Sequence, residues 1–126
     1  MNSLMTMLFF ALTTLLALAT ALPVYVRDVF VPPVTYPHTG TVWFVGQKHN
    51  VTWDISGAPS QITNPIGSIV LAHNGLLNLT HPLASNFSIL AGRHEITVPD
   101  VSPDNSYTIV LFGDSGNDSQ NFTISK

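Results

Sequence analysis

His49-Asn50-Val51-Thr52-Trp53-Asp54-Ile55 alternates strictly, with Val51, Trp53 and Ile55 on one side and Asn50, Thr52 and Asp54 on the other. Successive side chains of an extended chain point to opposite faces, so the pattern predicts a strand with one face on a core and one in water. A second stretch, Ser106 to Phe112, sets Tyr107, Ile109 and Leu111 opposite Val110 and Phe112. Apolar groups on both faces predict a strand at the centre of a sheet.

Outward from these two, short runs rich in β-branched and aromatic residues recur between Pro, Gly and Asn. They predict strands over residues 26–31, 41–45, 49–55, 68–73, 86–90, 95–98, 106–112 and 121–125, and no helix. Pro32-Pro33 ends the first run, because proline has no N–H for a ladder; this strand is expected at an edge, changing sheets there. Pro99 and Pro103 flank a turn, and Gly113-Asp114-Ser115-Gly116-Asn117 carries turn formers for a hairpin between the last two strands. The reading is one all-β Greek-key sandwich.

Ahead of it, residues 1–21 read as a secretory signal peptide: an apolar run from Leu4 to Leu18 ends at the small residues Ala19-Thr20-Ala21. The run falls short of the roughly 20 apolar residues of a membrane-spanning helix. Residues 22–126 are then a single secreted domain, with no stable membrane anchor expected. It has no cysteine, so packing and backbone hydrogen bonds must hold it together without disulfides. Charged residues make up only 9% of the chain and the net charge is −3, which leaves no basic patch to neutralise phosphates and excludes nucleic acid as the expected partner. Ser, Thr and Asn must supply most of the wetted surface.

Five tripeptides satisfy the N-x-[ST] rule, at Asn50, Asn78, Asn86, Asn117 and Asn121. They are candidate glycosylation sites in a secreted chain. Alternation points Asn50 and Asn121 outward.

Residues with catalytic connotations read otherwise. Gly113-Asp114-Ser115-Gly116 has the letters of a serine-protease nucleophile segment, but one domain of this length cannot supply that fold with its His and Asp partners, and a hairpin turn explains the same letters. A glycosidase needs two carboxylates across a cleft. Of Asp54, Glu95, Asp100, Asp104 and Asp114, Asp54 ends a strand and Asp100, Asp104 and Asp114 fall in predicted turns, where Asp bonds nearby backbone. His38, His49, His73, His81 and His94 lack the short spacings of zinc sites, and Asp114, Asn117 and Asp118 lack the EF-hand pattern. No catalytic residue, metal or cofactor is expected. Carbohydrate contact is the more specific possibility, since an exposed aromatic can stack on the C–H face of a sugar. Trp53 alternates with core residues. Trp43 and Phe44 are adjacent and must face opposite ways, so one of them is accessible, and Trp43 is the candidate contact. Tyr25 and Tyr36 are weaker candidates.

Two blocks carry a resemblance: Gly40-Thr41-Val42-Trp43-Phe44-Val45-Gly46-Gln47, continuing to Val51-Thr52-Trp53-Asp54, and Val98-Pro99-Asp100-Val101 through Tyr107 to Phe112 and Gly113-Asp114-Ser115-Gly116-Asn117. The chain resembles, over roughly residues 33–125, the N-terminal domain of the fungal KRE/KNH family associated with cell-wall β-1,6-glucan synthesis, a domain also found in Ser/Thr-rich GPI-anchored wall proteins. The resemblance implies an immunoglobulin-like or fibronectin-type antiparallel β-sandwich, a secreted or wall location, and association with wall polysaccharide or wall glycoproteins. It implies no catalytic residue. The chain ends at Ser125-Lys126 without the spacer and hydrophobic tail of a GPI signal, so a released domain is expected. An adhesion or signalling module that contacts another protein is the alternative.

Overall fold

The computed structural model describes residues 29–126. The expected signal peptide lies outside the described residues. Among the described residues ten strands form: β1 (Val34–Tyr36), β2 (Val42–Phe44), β3 (Lys48–Trp53), β4 (Ile66–His73), β5 (Leu76–Leu77), β6 (Ala84–Ser88), β7 (Arg93–Thr97), β8 (Asp104–Phe112), β9 (Gly116–Asp118) and β10 (Phe122–Ser125), with one 3-10 turn over Ile89–Ala91. A smaller sheet runs β1-β3-β7. A larger one runs β2-β10-β8-β4-β5, with β6 also on β4 and β9 also on β8.

The alternation in β3 works as expected as far as Trp53. Val51 is fully buried and Trp53 is 4% exposed, whereas Ile55 lies beyond the strand end and is 38% exposed. Strand β8 is central, with β10 and β9 on one edge and β4 on the other. Its inward Tyr107, Ile109 and Leu111 meet Ile69 and Leu71 of β4, Phe122 and Ile124 of β10, and Val51, Trp53 and Ile96 of the smaller sheet in one cluster. Full burial of an aliphatic or Phe side chain contributes roughly 1.5–3 kcal/mol, so this double layer of inward residues, without any disulfide, holds the sheets together. The fold is an immunoglobulin-like, fibronectin-type β-sandwich.

The structure corrects the reading at the N-terminal edge. Residues 29–31 form no strand, and the rest of the run predicted over 26–31 lies outside the described residues. The first strand is β1, after the prolines; Pro33 contributes only its carbonyl, which accepts the Asp54 N–H at 3.0 Å. The change of sheets comes later than Pro32-Pro33. It falls between β1, on β3, and β2, on β10, and the connection contains a cis Tyr36-Pro37 bond. There β2 runs parallel to β10, pairing Trp43 with Ile124, whereas every other strand pair is antiparallel. The run predicted over 86–90 also ends early, because the Ser88 hydroxyl accepts the Leu90 N–H at 3.2 Å and caps the 3-10 turn.

Candidate functional site

Strand β2 decides which aromatic can meet a ligand. Trp43 pairs with inward Ile124 and is fully buried, its ring tilted against Phe122 at a centroid distance of 4.6 Å. It cannot stack on a sugar, so the candidate contact at Trp43 is withdrawn. Phe44, one residue on, must face the other way; it is 44% exposed beside Val42, 49% exposed. Across the parallel ladder Phe44 pairs with Ser125 and Val42 with Thr123, so the exposed ring is flanked by hydroxyl-bearing residues.

Behind Phe44 a chain of hydrogen bonds fixes the buried ring. The Trp43 indole Nε1–H donates to Tyr36 Oη at 3.0 Å, and Tyr36 Oη lies 3.4 Å from His49 Nδ1. His49 Nε2 lies 2.9 Å from Gln47 Oε1, which also accepts the Phe44 N–H at 3.0 Å. His49 stacks on Trp43 at 4.9 Å. With its hydroxyl oxygen taken by the indole, Tyr36 has its proton for Nδ1, and Gln47 Oε1 needs a proton from Nε2, so the network is complete with neutral His49. Burial holds the His49 pKa below its ordinary value, in the same direction. Tyr36 is thus a structural partner of Trp43, and Tyr25 lies outside the described residues.

The five sequons differ in geometry. Asn50 and Asn121 are exposed, Asn50 on the outer face of β3 between Lys48 and Thr52. Asn86 is exposed and has φ 59° at the bulge where β6 slips against Gly67 and Ser68, a conformation Asn tolerates better than most residues. Asn78 is exposed after β5, and the Thr80 hydroxyl donates to its Oδ1 at 2.9 Å. Asn117 is different: it is half-buried, and its Nδ2, the atom that would carry a glycan, donates to Pro32 O at 2.7 Å. Ser119 of that sequon is 6% exposed, and its hydroxyl accepts the Ile109 N–H at 2.9 Å. The Asn117 tripeptide is structural.

Asp54, Asp100 and Asp104 are engaged by separate groups of the chain. Asp54 accepts the Ser56 N–H at 2.9 Å in a local turn, which lowers its pKa. Asp100 Oδ1 sits 3.0 Å from Lys126 Nζ. Asp104 Oδ2 lies 2.6 Å from His73 Nε2, and Oδ1 accepts the Asn105 N–H; the His73 bond first, then the backbone bond, holds its pKa below the usual carboxylate range. His73 stacks on Tyr107 at 4.4 Å, and the buried Tyr107 hydroxyl donates to Ser102 O at 2.5 Å. This is the tyrosine corner of sandwich folds, a phenol tied back to the turn before its strand. Alternation marks Tyr107 only as an inward residue; the Ser102-Pro103 turn five residues upstream is the signal for its tie. Gly113 to Gly116 forms the β8–β9 hairpin, with Asp114 and Ser115 exposed. Among the described residues no three His, Cys, Asp or Glu side chains gather as a metal would require, and no helix is long and apolar enough to cross a membrane.

Compared with protein families and with curated proteins, the chain matches none. Among solved structures it is similar to the fibronectin(III)-like modules of Clostridium thermocellum CbhA, at 15% identity and a TM-score of 0.36 over 72% of this chain; the match spans 43% of that structure.

Proposed function

We propose that the chain is a non-catalytic extracellular domain of the fungal wall or matrix, which binds β-glucan or the glycoproteins around it through the outer face of the larger sheet at β2. The asymmetry of the two outer faces carries this reading. The smaller sheet displays the charged Lys48, Arg93 and Glu95; each outer face has an exposed sequon, Asn50 on β3 and Asn121 directly before β10, so charge is what distinguishes the two faces. At β2 and β10 the larger sheet displays Phe44 and Val42 beside Thr123 and Ser125, without charge. An uncharged polysaccharide offers C–H faces for an aromatic ring and hydroxyls for Ser and Thr, and it would have to displace no ion pair here. The non-catalytic part is supported by the engagement of Asp54, Asp100 and Asp104 with groups of the chain itself. The resemblance to KRE/KNH domains supports the wall setting.

Retention on insoluble β-glucan tests it, with Phe44→Ala as the informative variant. The wild type should be retained and Phe44→Ala released, with unchanged thermal stability. Failure of both glycosylated and deglycosylated wild type to bind would overturn the reading. An adhesion or signalling module remains the second reading, because Leu76 and Leu79 are 79% and 67% exposed around the β4–β5 hairpin. Loss of protein capture with Leu76→Ser, and unchanged capture with Phe44→Ala, would favour it.

A further inference from the structure

At the end of the sandwich beneath the β4–β5 hairpin lies a cleft of about 350 Å³. Leu71, Leu76 and Val101 give it apolar walls, Asp100 and Ser102 a polar side, and Asn78 stands on its lining. Leu76 is 79% exposed although it borders the cleft, so its side chain lacks a cover. Asn78 is held in place at this border: its backbone N–H donates to Leu71 O at 3.0 Å, and Thr80 fixes its side-chain oxygen. Its Nδ2 has no hydrogen-bond partner among the described residues, in contrast to Nδ2 of Asn117.

We infer that Asn78 carries an N-linked glycan whose first N-acetylglucosamine folds back into this cleft, covering Leu76 and turning its polar groups toward Asp100 and Ser102. The occupant follows from the attachment point. Asn78 itself lines the cleft, while Asn50, Asn86 and Asn121 do not. The chemistry also matches, since a pyranose presents an apolar face for Leu76 and hydroxyl and amide groups for a carboxylate and a serine. The inference shares with the proposed function the passage through the secretory pathway, but it does not depend on wall binding.

The test uses the full chain secreted from a eukaryotic host and, in parallel, made unglycosylated in bacteria. Glycopeptide mass spectrometry should find Asn78 occupied. Asn78→Gln should lower Tm by about 4 °C in the secreted protein, and leave it unchanged in the bacterial protein. Asn50→Gln and Asn121→Gln should have no such effect in either. Leu76→Ala should reproduce the loss in the secreted protein alone, and proton NMR should connect the sugar's acetamido methyl to Leu76. An unoccupied Asn78, or equal effects of Asn78→Gln in the two proteins, would overturn the inference. If these results hold while glucan retention fails, only the proposed function falls.

Discussion

Ser119→Ala probes the most exposed assumption about how this sheet is closed. Strands β9 and β10 lie along the same edge of β8, with β9 on Val110 to Phe112 and β10 on Asp104 to Tyr107. Ser119 bridges the gap between them at Ile109. Its N–H donates to Ile109 O at 2.8 Å, and the Ile109 N–H donates to the Ser119 hydroxyl oxygen at 2.9 Å, so a side-chain oxygen takes the place of a ladder carbonyl. The hydroxyl proton goes to Gln120 O at 2.9 Å. Alanine removes the acceptor, and because Ile109 is fully buried, water cannot replace it. A buried donor left unpaired costs roughly 1–3 kcal/mol. In a domain of about 100 residues, where each kcal/mol shifts Tm by about 4–8 °C, a loss near 2 kcal/mol lowers Tm by roughly 10 °C. The measurement is urea and thermal unfolding of bacterial protein, since the substitution also deletes the Asn117 sequon and glycosylation must not enter the comparison. Amide exchange at Ile109 should accelerate more than at Leu111. A change under about 0.5 kcal/mol, the range of ordinary surface substitutions, would refute the ladder role of the hydroxyl.

Gly67 faces the Phe87 ring across the β4–β6 pair, and a Cβ on it would lie 2.5 Å from Phe87 Cε2. Gly67→Ala should therefore destabilise by about 1–3 kcal/mol through overpacking, read by urea unfolding, and a neutral result would mean the ring moves aside freely. For His49, a folded-state pKa below its ordinary 6.5 means that the unfolded chain takes up the proton first as pH falls; this part of the stability is complete at neutral pH, declines as pH drops through about 6.5, and stops declining below the folded pKa. His49→Gln should flatten the dependence of unfolding free energy on pH between 7 and 5, and an unchanged slope would remove His49 from the account.

The interior of the sandwich was legible because period-two alternation is a local signal. Val51 and Trp53, Tyr107 to Leu111, and Phe122 and Ile124 all sit where alternation puts them. Short edge strands were not legible, since two or three residues cannot show a period: β1, β5 and β9 went unpredicted. For β5 a turn signal did exist. Asn74 and Gly75 have φ of 51° and 80° in a two-residue connection pairing His73 with Leu76, the backbone an Asn-Gly dipeptide favours in a hairpin. At the candidate contact, alternation required Trp43 and Phe44 to oppose each other but could not say which faced inward. That was decided by the parallel pairing of β2 with β10, a contact about 80 residues away along the chain.

The sequons show why a motif with a correct chemical rule still needs geometry. In a chain with few charges, Asn and Ser are the polar groups available to serve the backbone, and several of them do so here. Asn64 Oδ1 accepts the Ile66 N–H, Ser88 caps the 3-10 turn, Asn86 occupies a bulge, and Ser119 completes a ladder. Structural demand of this kind generates N-x-[ST] letters without reference to glycans. Asn78 and Asn117 satisfy the same rule, yet Asn117 Nδ2 donates to Pro32 O and the Ser119 hydroxyl is buried, while in Asn78, a residue that lines a cleft, the Thr80 hydroxyl holds the amide oxygen and Nδ2 has no partner among the described residues. A folded domain that carries a glycan must leave Nδ2 free of the interior, so the destination of that atom, which three letters do not encode, separates a glycan site from a fold element.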